Sequence, residues 1–321
     1  MTKIKIIGIL LTWEDNNLRR SHHLQKIIPV LWFDDQAEEA VDFYVSIFNK
    51  SQKGYLDRHD EASAEAAGKP VGSISYVEFE LEGQEFGAIN GGPVFKLTPA
   101  ISFIVNCLAE TEIDELWDRL SERGKVLMPL DSYEFSNKYG WIEDRYGVSW
   151  QLLLTDTVAQ KIVPSLMFVG EKSGKAEEAI SFYTSLFEDS KVEYLSRYGP
   201  GQEPDEEGTL NYASFTLAGQ HFAAMDSALE HSFTFTEAIS LLVNCKTQEE
   251  IDQYWEKLSA DPEAEQCGWL KDKYGVSWQI IPVQLNQLLR DPDPAKSASV
   301  MRAFLQMKKL DLEGLISAHQ G

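Results

Sequence analysis

The chain has 321 residues, enough for two domains that each bury a core, and its formal net charge is −22. Such a charge disfavours nucleic acid and anionic membranes as partners, because both require a basic surface. The sequence has no run of eighteen apolar residues, and its three cysteines do not suggest a disulfide framework. We therefore expect a cytoplasmic protein that binds neither nucleic acid nor a membrane.

The first predicted elements alternate between strand and helix patterns. Residues 27–33 form a short apolar run typical of a strand, and the apolar residues of 37–48 fall on one helical face. Residues 76–81 alternate apolar and polar side chains, and a Glu82-Gly83 turn leads into another strand at 86–89. A strand, a helix and further strands are thus predicted in the first ninety residues.

The same order starts again at residue 101. Residues 101–105 predict a strand, and Thr111 to Asp114 resembles a capping box at the start of a helix. Three more strands are predicted at 125–130, 139–143 and 149–154. The first half of the chain is therefore expected to hold two strand–helix–strand–strand–strand modules.

The second half of the chain repeats the first. Residues 140–151, GWIEDRYGVSWQ, return as residues 268–279 with nine of twelve positions identical. The AEEA segment before Phe43-Tyr44 returns before Phe182-Tyr183, and ISFIVNC at 101–107 returns as ISLLVNC at 239–245. A repeat of this length has the size of a whole domain, so the chain is a tandem duplication.

These motifs resemble the PhnB-like branch of the vicinal oxygen chelate (VOC) superfamily, which includes glyoxalase I, extradiol dioxygenases and bleomycin resistance proteins. Members of the branch often carry the label 3-demethylubiquinone-9 3-methyltransferase. The resemblance rests on PVLWFDDQAEEA, the Leu-x-Gly-Gln hairpin at 81–84, and the Gly-Trp…Trp-Gln ending of each repeat. It implies an α+β fold in which four βαβββ modules form two domains, with paired sheets curled around a pocket.

The first and last residues of the two segments that carry the resemblance give the expected domain organisation. We expect an N-terminal extension at 1–26, domains at 27–155 and 162–282, and a C-terminal helical tail at 283–321. Single-domain relatives are expected to pair as twofold dimers, so the two repeats should pack as a pseudo-dimer within one chain. The chain could form a homodimer in addition.

The resemblance also says where metal-dependent relatives hold a metal, usually with His, His and Glu. The corresponding positions fall near Pro29, near 100–102 and at Gln151, and in the second repeat near Pro164, near 238–240 and at Gln279. Proline and alanine side chains cannot bind a metal, and a neutral amide is a poor substitute for a carboxylate. We expect no metal and no cofactor, with a site improvised around His59, Asp57 and Asp60 as a minor alternative.

The candidate ligand-binding residues lie on or beside the predicted strands. Gln151 and Gln279 are expected to point into the pockets and Trp150 and Trp278 away from them, because side chains alternate along a strand. Walls are expected from aromatic and apolar neighbours, and an arginine before each of the loops 59–72 and 198–208 could pair with an anionic ligand. The candidates are Trp32, Arg58, Phe103, Gln151, Met167, Arg197, Leu241 and Gln279.

Three classes of function remain open. The first is a metal-free module that binds a small aromatic or oxygenated metabolite. The second is an enzyme: a lyase, isomerase or dioxygenase of the glyoxalase type, or a cofactor-dependent transferase. The third is a scaffold that acts through a partner. The methyltransferase label has little support, because no glycine-rich loop between a strand and a helix is present to hold S-adenosylmethionine.

Overall fold

The computed structural model describes residues 24–321, in which fifteen strands and eight α-helices are formed. The strands are β1 Ile27–Phe33, β2 Gln52–Arg58, β3 Ile74–Leu81, β4 Gln84–Asn90, β5 Ile101–Cys107, β6 Lys125–Tyr133, β7 Ser136–Glu143, β8 Ser149–Leu154, β9 Ile162–Val169, β10 Lys191–Arg197, β11 Leu210–Leu217, β12 Gln220–Ser227, β13 Ile239–Cys245, β14 Trp269–Lys271 and β15 Ser277–Pro282. The helices are α1 Ala37–Ile47, α2 Glu61–Ala67, α3 Glu110–Ser121, α4 Ala176–Leu186, α5 Gln248–Leu258, α6 Leu285–Leu289, α7 Pro294–Leu305 and α8 Leu312–Gln320. In this range no helix is long and apolar enough to cross a membrane.

The strands form two sheets, and each sheet takes strands from both repeats. Sheet A has the order β14-β15-β13-β1-β4-β3-β2, so it joins the first module of the first repeat to the last module of the second. Sheet B has the order β10-β11-β12-β9-β5-β8-β7-β6 and joins the remaining two modules. The repeats are therefore connected through continuous sheets, and neither repeat builds a sheet alone.

The two junctions between repeats are equivalent. β1 pairs antiparallel with β13, with Val30 opposite Ser240, and β9 pairs antiparallel with β5, with Ser165 opposite Ser102. The side chain of Gln84 bonds both backbone groups of Ile162, and Gln220 bonds those of Ile27 in the same way. Exchanging the repeats maps the paired residues of one junction onto those of the other.

A single hydrophobic core lies on one side of both sheets and includes the inward residues of α1, α3, α4 and α5. Strand alternation sends the remaining side chains to the opposite side of each sheet. We call these surfaces face A, which includes Trp32, Ser240 and Gln279, and face B, which includes Ser102 and Gln151.

One aspartate in each repeat ties the last hairpin to the first helix. Asp144 accepts hydrogen bonds from Tyr44 Oη and Trp150 Nε1, both at 2.8 Å, and from the backbone N–H groups of Tyr146 and Val148. Asp272 has the equivalent four donors in the second repeat. The conserved spacing from this aspartate to the tryptophan therefore fixes Trp150 and Trp278 on the core side, where both are buried.

The fourth module is shorter than the other three. It follows the order β13, α5, β14 and β15, and it lacks the first strand of the β6–β7 hairpin found in the second module. The C-terminal segment takes part of the vacant edge, because Cys267 N–H donates to the Met307 carbonyl and Gly268 N–H to that of Lys308.

Two local expectations were wrong. The predicted loop 59–72 contains α2, whose N-cap Asp60 forms a capping box with Ser63. The capping box expected at Thr111 is absent, because α3 begins two residues earlier, after the N-cap Ala109. The N–H of Leu108 is bonded by Glu112 instead, so the glutamate alone performs the capping role.

Candidate functional site

The candidate site on face B is a chain of hydrogen bonds across three strands. Gln151 on β8 donates from Nε2 to Ser102 Oγ on β5 at 2.7 Å, and its Oε1 accepts from Tyr139 Oη on β7 at 2.8 Å. All three side chains are buried. Burial raises the pKa of Tyr139, so its hydroxyl stays protonated and holds the amide of Gln151 in one orientation.

Apolar and aromatic side chains surround this chain of bonds. Trp141 lies opposite Gln151 on β7, and its Nε1 donates to Ser149 Oγ at 2.7 Å. Tyr133 and Phe135, at the end of the β6–β7 hairpin, pack on the ring of Tyr139 with centroid distances of 5.7 and 5.0 Å. Face B therefore combines fixed polar atoms with flat apolar walls, which is the usual composition of a small-molecule site.

Face A has the same framework with a different environment. Gln279 donates to Ser240 Oγ at 2.9 Å, as Gln151 does to Ser102. The position of Tyr139 is taken by Cys267, which supplies no phenol, and Ser277 Oγ is buried without a partner among the described residues. The two glutamines are thus equivalent in position and different in their neighbours.

Each sheet combines modules of both repeats, so candidate ligand-binding residues predicted to share a pocket lie on different faces. Trp32 lies on face A with Gln279, its ring centroid 6.1 Å from that of Trp269, and its Nε1 donates to the Gly92 carbonyl. Met167 is on β9 of sheet B, on the face of Ser102 and Gln151. The predicted walls are therefore exchanged, because β1 pairs with strands of the second repeat and β9 with strands of the first.

Two further candidates do not reach either face. Phe103 lies opposite Trp150, and Leu241 opposite Trp278, so both belong to the core side. Their placement as pocket walls is corrected by the register, which puts Ser102 and Ser240, one residue earlier, on the faces. This alternation was visible in the sequence, and the serines were missed because a serine alone carries no specific signal.

The two arginine candidates serve the loops that follow them. Arg58 donates to the Gly72 carbonyl at 2.9 Å, and Arg197 donates to that of Gly208 at 2.8 Å. Arg197 also forms a two-pronged ion pair with Glu177 at 2.7 Å. Both side chains are exposed at strand ends, so these bonds do not bring a guanidinium to face A or face B.

The positions at which metal-dependent relatives are expected to hold a metal carry weak ligands. Register places Ser165, Ser102 and Gln151 together on face B, and Val30, Ser240 and Gln279 on face A, while Pro29 and Pro164 turn to the core side. Within residues 24–321 no group of three or more His, Cys, Asp and Glu is placed to bind a metal ion. These residues do not fit a catalytic divalent metal, which needs several anionic or imidazole ligands.

The histidine and cysteine candidates do not supply another reactive centre. His59 is buried, and neither ring nitrogen has a partner in the part of the chain that the structure describes. Asp57 is bonded to Arg290 and Asp60 caps α2, so the three side chains do not form the improvised metal site. Burial raises the pKa of the Cys107 and Cys245 thiols to about 12. Both stay protonated at neutral pH and act as small core residues.

Each sheet joins one module of the first repeat to one of the second, and each module has the strand–helix–strand–strand–strand order, with one strand missing from the fourth. The sequence pattern of the 3-demethylubiquinone-9 3-methyltransferase family matches residues 25–153 and again 160–281, and the chain belongs to this family as a tandem duplication. No curated protein matches the chain.

Several solved structures are similar to parts of it. The PhnB protein from Bacillus cereus is 44% identical over 41% of this chain and 100% of its own, with a TM-score of 0.38. A Staphylococcus aureus protein is 30% identical over 41% of this chain and 97% of its own, with a TM-score of 0.18. Glyoxalase I from Zea mays is 11% identical over 79% of this chain and 90% of its own, with a TM-score of 0.48.

Proposed function

We propose that the protein binds one small, uncharged, partly aromatic metabolite on face B without a metal ion. The observation that carries this proposal is the Tyr139–Gln151–Ser102 chain of hydrogen bonds. It presents an amide and a hydroxyl that retain unused bonding capacity: the second N–H and lone pair of Gln151, and the hydroxyl hydrogen of Ser102.

The apolar surroundings of Gln151 support a neutral ligand. The hydrophobic residues clustered on face B all come from strands, and no residue of a helix belongs to the cluster, which consists of Ile104, Val163 and Ala223 with Leu153 and Tyr212. The carboxylate of Glu193 on this face already has partners, because it lies 3.0 Å from His221 Nδ1 and 3.3 Å from Lys191 Nζ. A charged ligand would therefore lose its hydration without gaining a partner of opposite charge.

Methyl transfer, the activity in the family's name, is not favoured by these residues. Neither face offers the glycine-rich loop at a helix N-terminus that holds a dinucleotide-like cofactor in the usual doubly wound fold. Glyoxalase-type chemistry is not favoured either, because serine and glutamine occupy the positions at which metal-dependent relatives are expected to hold the metal.

The test uses the two glutamines as matched variants. The protein is screened by thermal shift against neutral aromatic and oxygenated metabolites, S-adenosylmethionine, and Zn²⁺, Ni²⁺, Mn²⁺ and Fe²⁺, because a ligand that binds only the folded state raises Tm. A metabolite found in this way should lose at least tenfold in affinity in Gln151→Ala and change less than about twofold in Gln279→Ala.

The outcomes separate the alternatives. Equal losses in the two variants, or a loss confined to Gln279→Ala, would move the binding site away from face B. A stoichiometric divalent metal that raises Tm and is needed for ligand binding would favour the glyoxalase-type alternative. Stabilisation by S-adenosylmethionine alone would favour the transferase.

A further inference from the structure

Face A is covered by the C-terminal segment of the chain. Residues of α6, α7 and α8 form a hydrophobic cluster with Ile281 on β15, and Leu242 on β13 packs against it. Val300, Leu310 and Leu315 of this cluster are fully buried. The positions that correspond to Leu242 and Ile281 on face B are Ile104 and Leu153, which have only strand residues as cluster neighbours.

Arg290, just after α6, is inserted into a cage on the far strands of the same face. Its Nε donates to Asp57 Oδ1 at 3.0 Å, and its Nη2 donates to Asp57 Oδ2 at 2.6 Å and to Glu78 Oε1 at 2.7 Å. Its guanidinium lies 4.0 Å from the ring centroid of Tyr55, and Asn286 bonds the same Glu78 oxygen at 3.2 Å. Two carboxylates and an aromatic ring are a recognised combination for binding a guanidinium.

The corresponding cage is absent from face B. The residues equivalent to Asp57 and Glu78 are Ser196 and Ser214, and only the aromatic member is retained, as Tyr194. The carboxylates of Asp57 and Glu78 therefore occur only on the face that the C-terminal segment covers, and the two repeats do not share them. Ser277 Oγ is buried on this face and has no partner within residues 24–321, so the segment covers face A without bonding all of its polar groups.

The ion pairs of Arg290 with Asp57 and Glu78 are exposed enough for a cation in solution to replace the arginine. The side chains of Arg290, Asp57 and Glu78 keep 20%, 30% and 34% of their surface exposed. Ion pairs at this degree of exposure are partly screened by water and exchange with ions in solution.

We propose that the C-terminal segment is a displaceable cover of face A, held by Arg290, and that the cage of Tyr55, Asp57 and Glu78 is a second binding site, for a small molecule that carries a guanidinium group. Such a ligand competes with Arg290 for the cage and releases the segment. The inference does not depend on the ligand of face B.

Cys267 provides the readout. Its side chain is partly buried, its Sγ bonds the Phe304 carbonyl at 3.5 Å and its backbone N–H donates to the Met307 carbonyl, so release of the segment should make this thiol react faster. Cys107 and Cys245 are buried in the core and react only when the whole fold opens. Labelling of the full chain with a thiol reagent, resolved by peptide mass, then distinguishes release of the segment from unfolding.

The expected results are specific. Arg290→Ala should label Cys267 about tenfold faster than the wild type, while Arg302→Ala, which removes an exposed arginine of α7, should not change the rate. Methylguanidinium chloride should accelerate Cys267 labelling in the wild type beyond sodium chloride at equal concentration. It should have no such effect in Arg290→Ala, where nothing is left to displace, or in Asp57→Asn, where the cage is impaired.

Two results would overturn the proposal. A wild-type rate of Cys267 labelling in Arg290→Ala excludes Arg290 as the holding contact, and identical effects of methylguanidinium and sodium chloride exclude a guanidinium site. If all three thiols react together in Arg290→Ala, that variant is unfolded, and Arg290→Lys replaces it. This variant keeps a cation without the two-pronged geometry, and a wild-type Cys267 rate in it excludes the guanidinium contact equally.

Discussion

Face A and face B come from the same ancestral surface and have different surroundings. Each keeps a glutamine bonded to a serine on the neighbouring strand, Gln279 with Ser240 and Gln151 with Ser102. Face A has lost a hairpin strand and is covered by α6, α7 and α8, while face B keeps the full β6–β7 hairpin with Tyr139. After duplication, one copy of the surface is thus covered by the C-terminal segment of the chain, and the other lacks that cover.

The hydrogen-bonded centre of the core side, by contrast, is the same in both halves. Tyr44, Asp144 and Trp150 form the same contacts as Tyr183, Asp272 and Trp278, with the tyrosine and tryptophan rings 5.4 and 5.3 Å apart. Mutations on the core side should therefore have equal effects in the two repeats, and mutations on the faces unequal ones.

The largest expected effect tests this equality. Trp150→Ala and Trp278→Ala each remove a fully buried indole and leave the aspartate without one of its donors. Each should lower the free energy of unfolding by about 3 to 5 kcal/mol, the range for a buried tryptophan. Urea unfolding of the two variants is the measurement. A large cost in one repeat only would show that the halves are not equivalent on the core side.

A smaller and unequal effect is expected on the faces. Ile281→Ala removes a side chain that the C-terminal segment covers and should cost about 2 to 4 kcal/mol. Leu153→Ala, at the equivalent position on face B, removes a half-buried side chain and should cost about 1 kcal/mol, because less apolar surface returns to water. Urea unfolding of both variants measures the difference. Equal costs would mean that face B is covered as completely as face A.

The sequence predicted the framework of both faces and could not predict how the modules pair. Alternation along β8 and β15 places Gln151 and Gln279 opposite Trp150 and Trp278, and the repeated motifs give the four modules. Pairing of β1 with β13 or with β5 is equally compatible with these local patterns, because both partners are apolar strands that begin with the same Ile-Ser. That choice depends on contacts between residues more than a hundred positions apart.

That face A is covered could not be predicted from the sequence, for a related reason. The C-terminal tail was expected to be helical, but the surface on which it packs depends on the hydrogen bonds of Arg290 to Asp57 and Glu78. Both partners lie more than two hundred residues before Arg290 in the sequence. A single arginine among the many charged residues of the chain carries no signal of its partner. The second repeat lacks the counterpart of the strand β6, and the C-terminal segment bonds to the backbone left at that edge.

The smallest expected effect is a difference in pH dependence between the halves. His59 stands where the second repeat has Tyr198, whose hydroxyl donates to the Asp226 carbonyl. Burial lowers the pKa of His59 below its ordinary 6.5, with Lys69 acting in the same direction and Asp60 opposing it. The unfolded chain therefore takes up this proton before the folded one does, so stability present above pH 6.5 is lost as the pH falls below it. Replacement by a side chain that does not titrate removes this contribution. Unfolding free energies measured from pH 7.5 to 5.5 should fall more steeply in the wild type than in His59→Gln, by less than about 1.4 kcal/mol per pH unit. Parallel curves for the two proteins would show that His59 has the same affinity for a proton in both states.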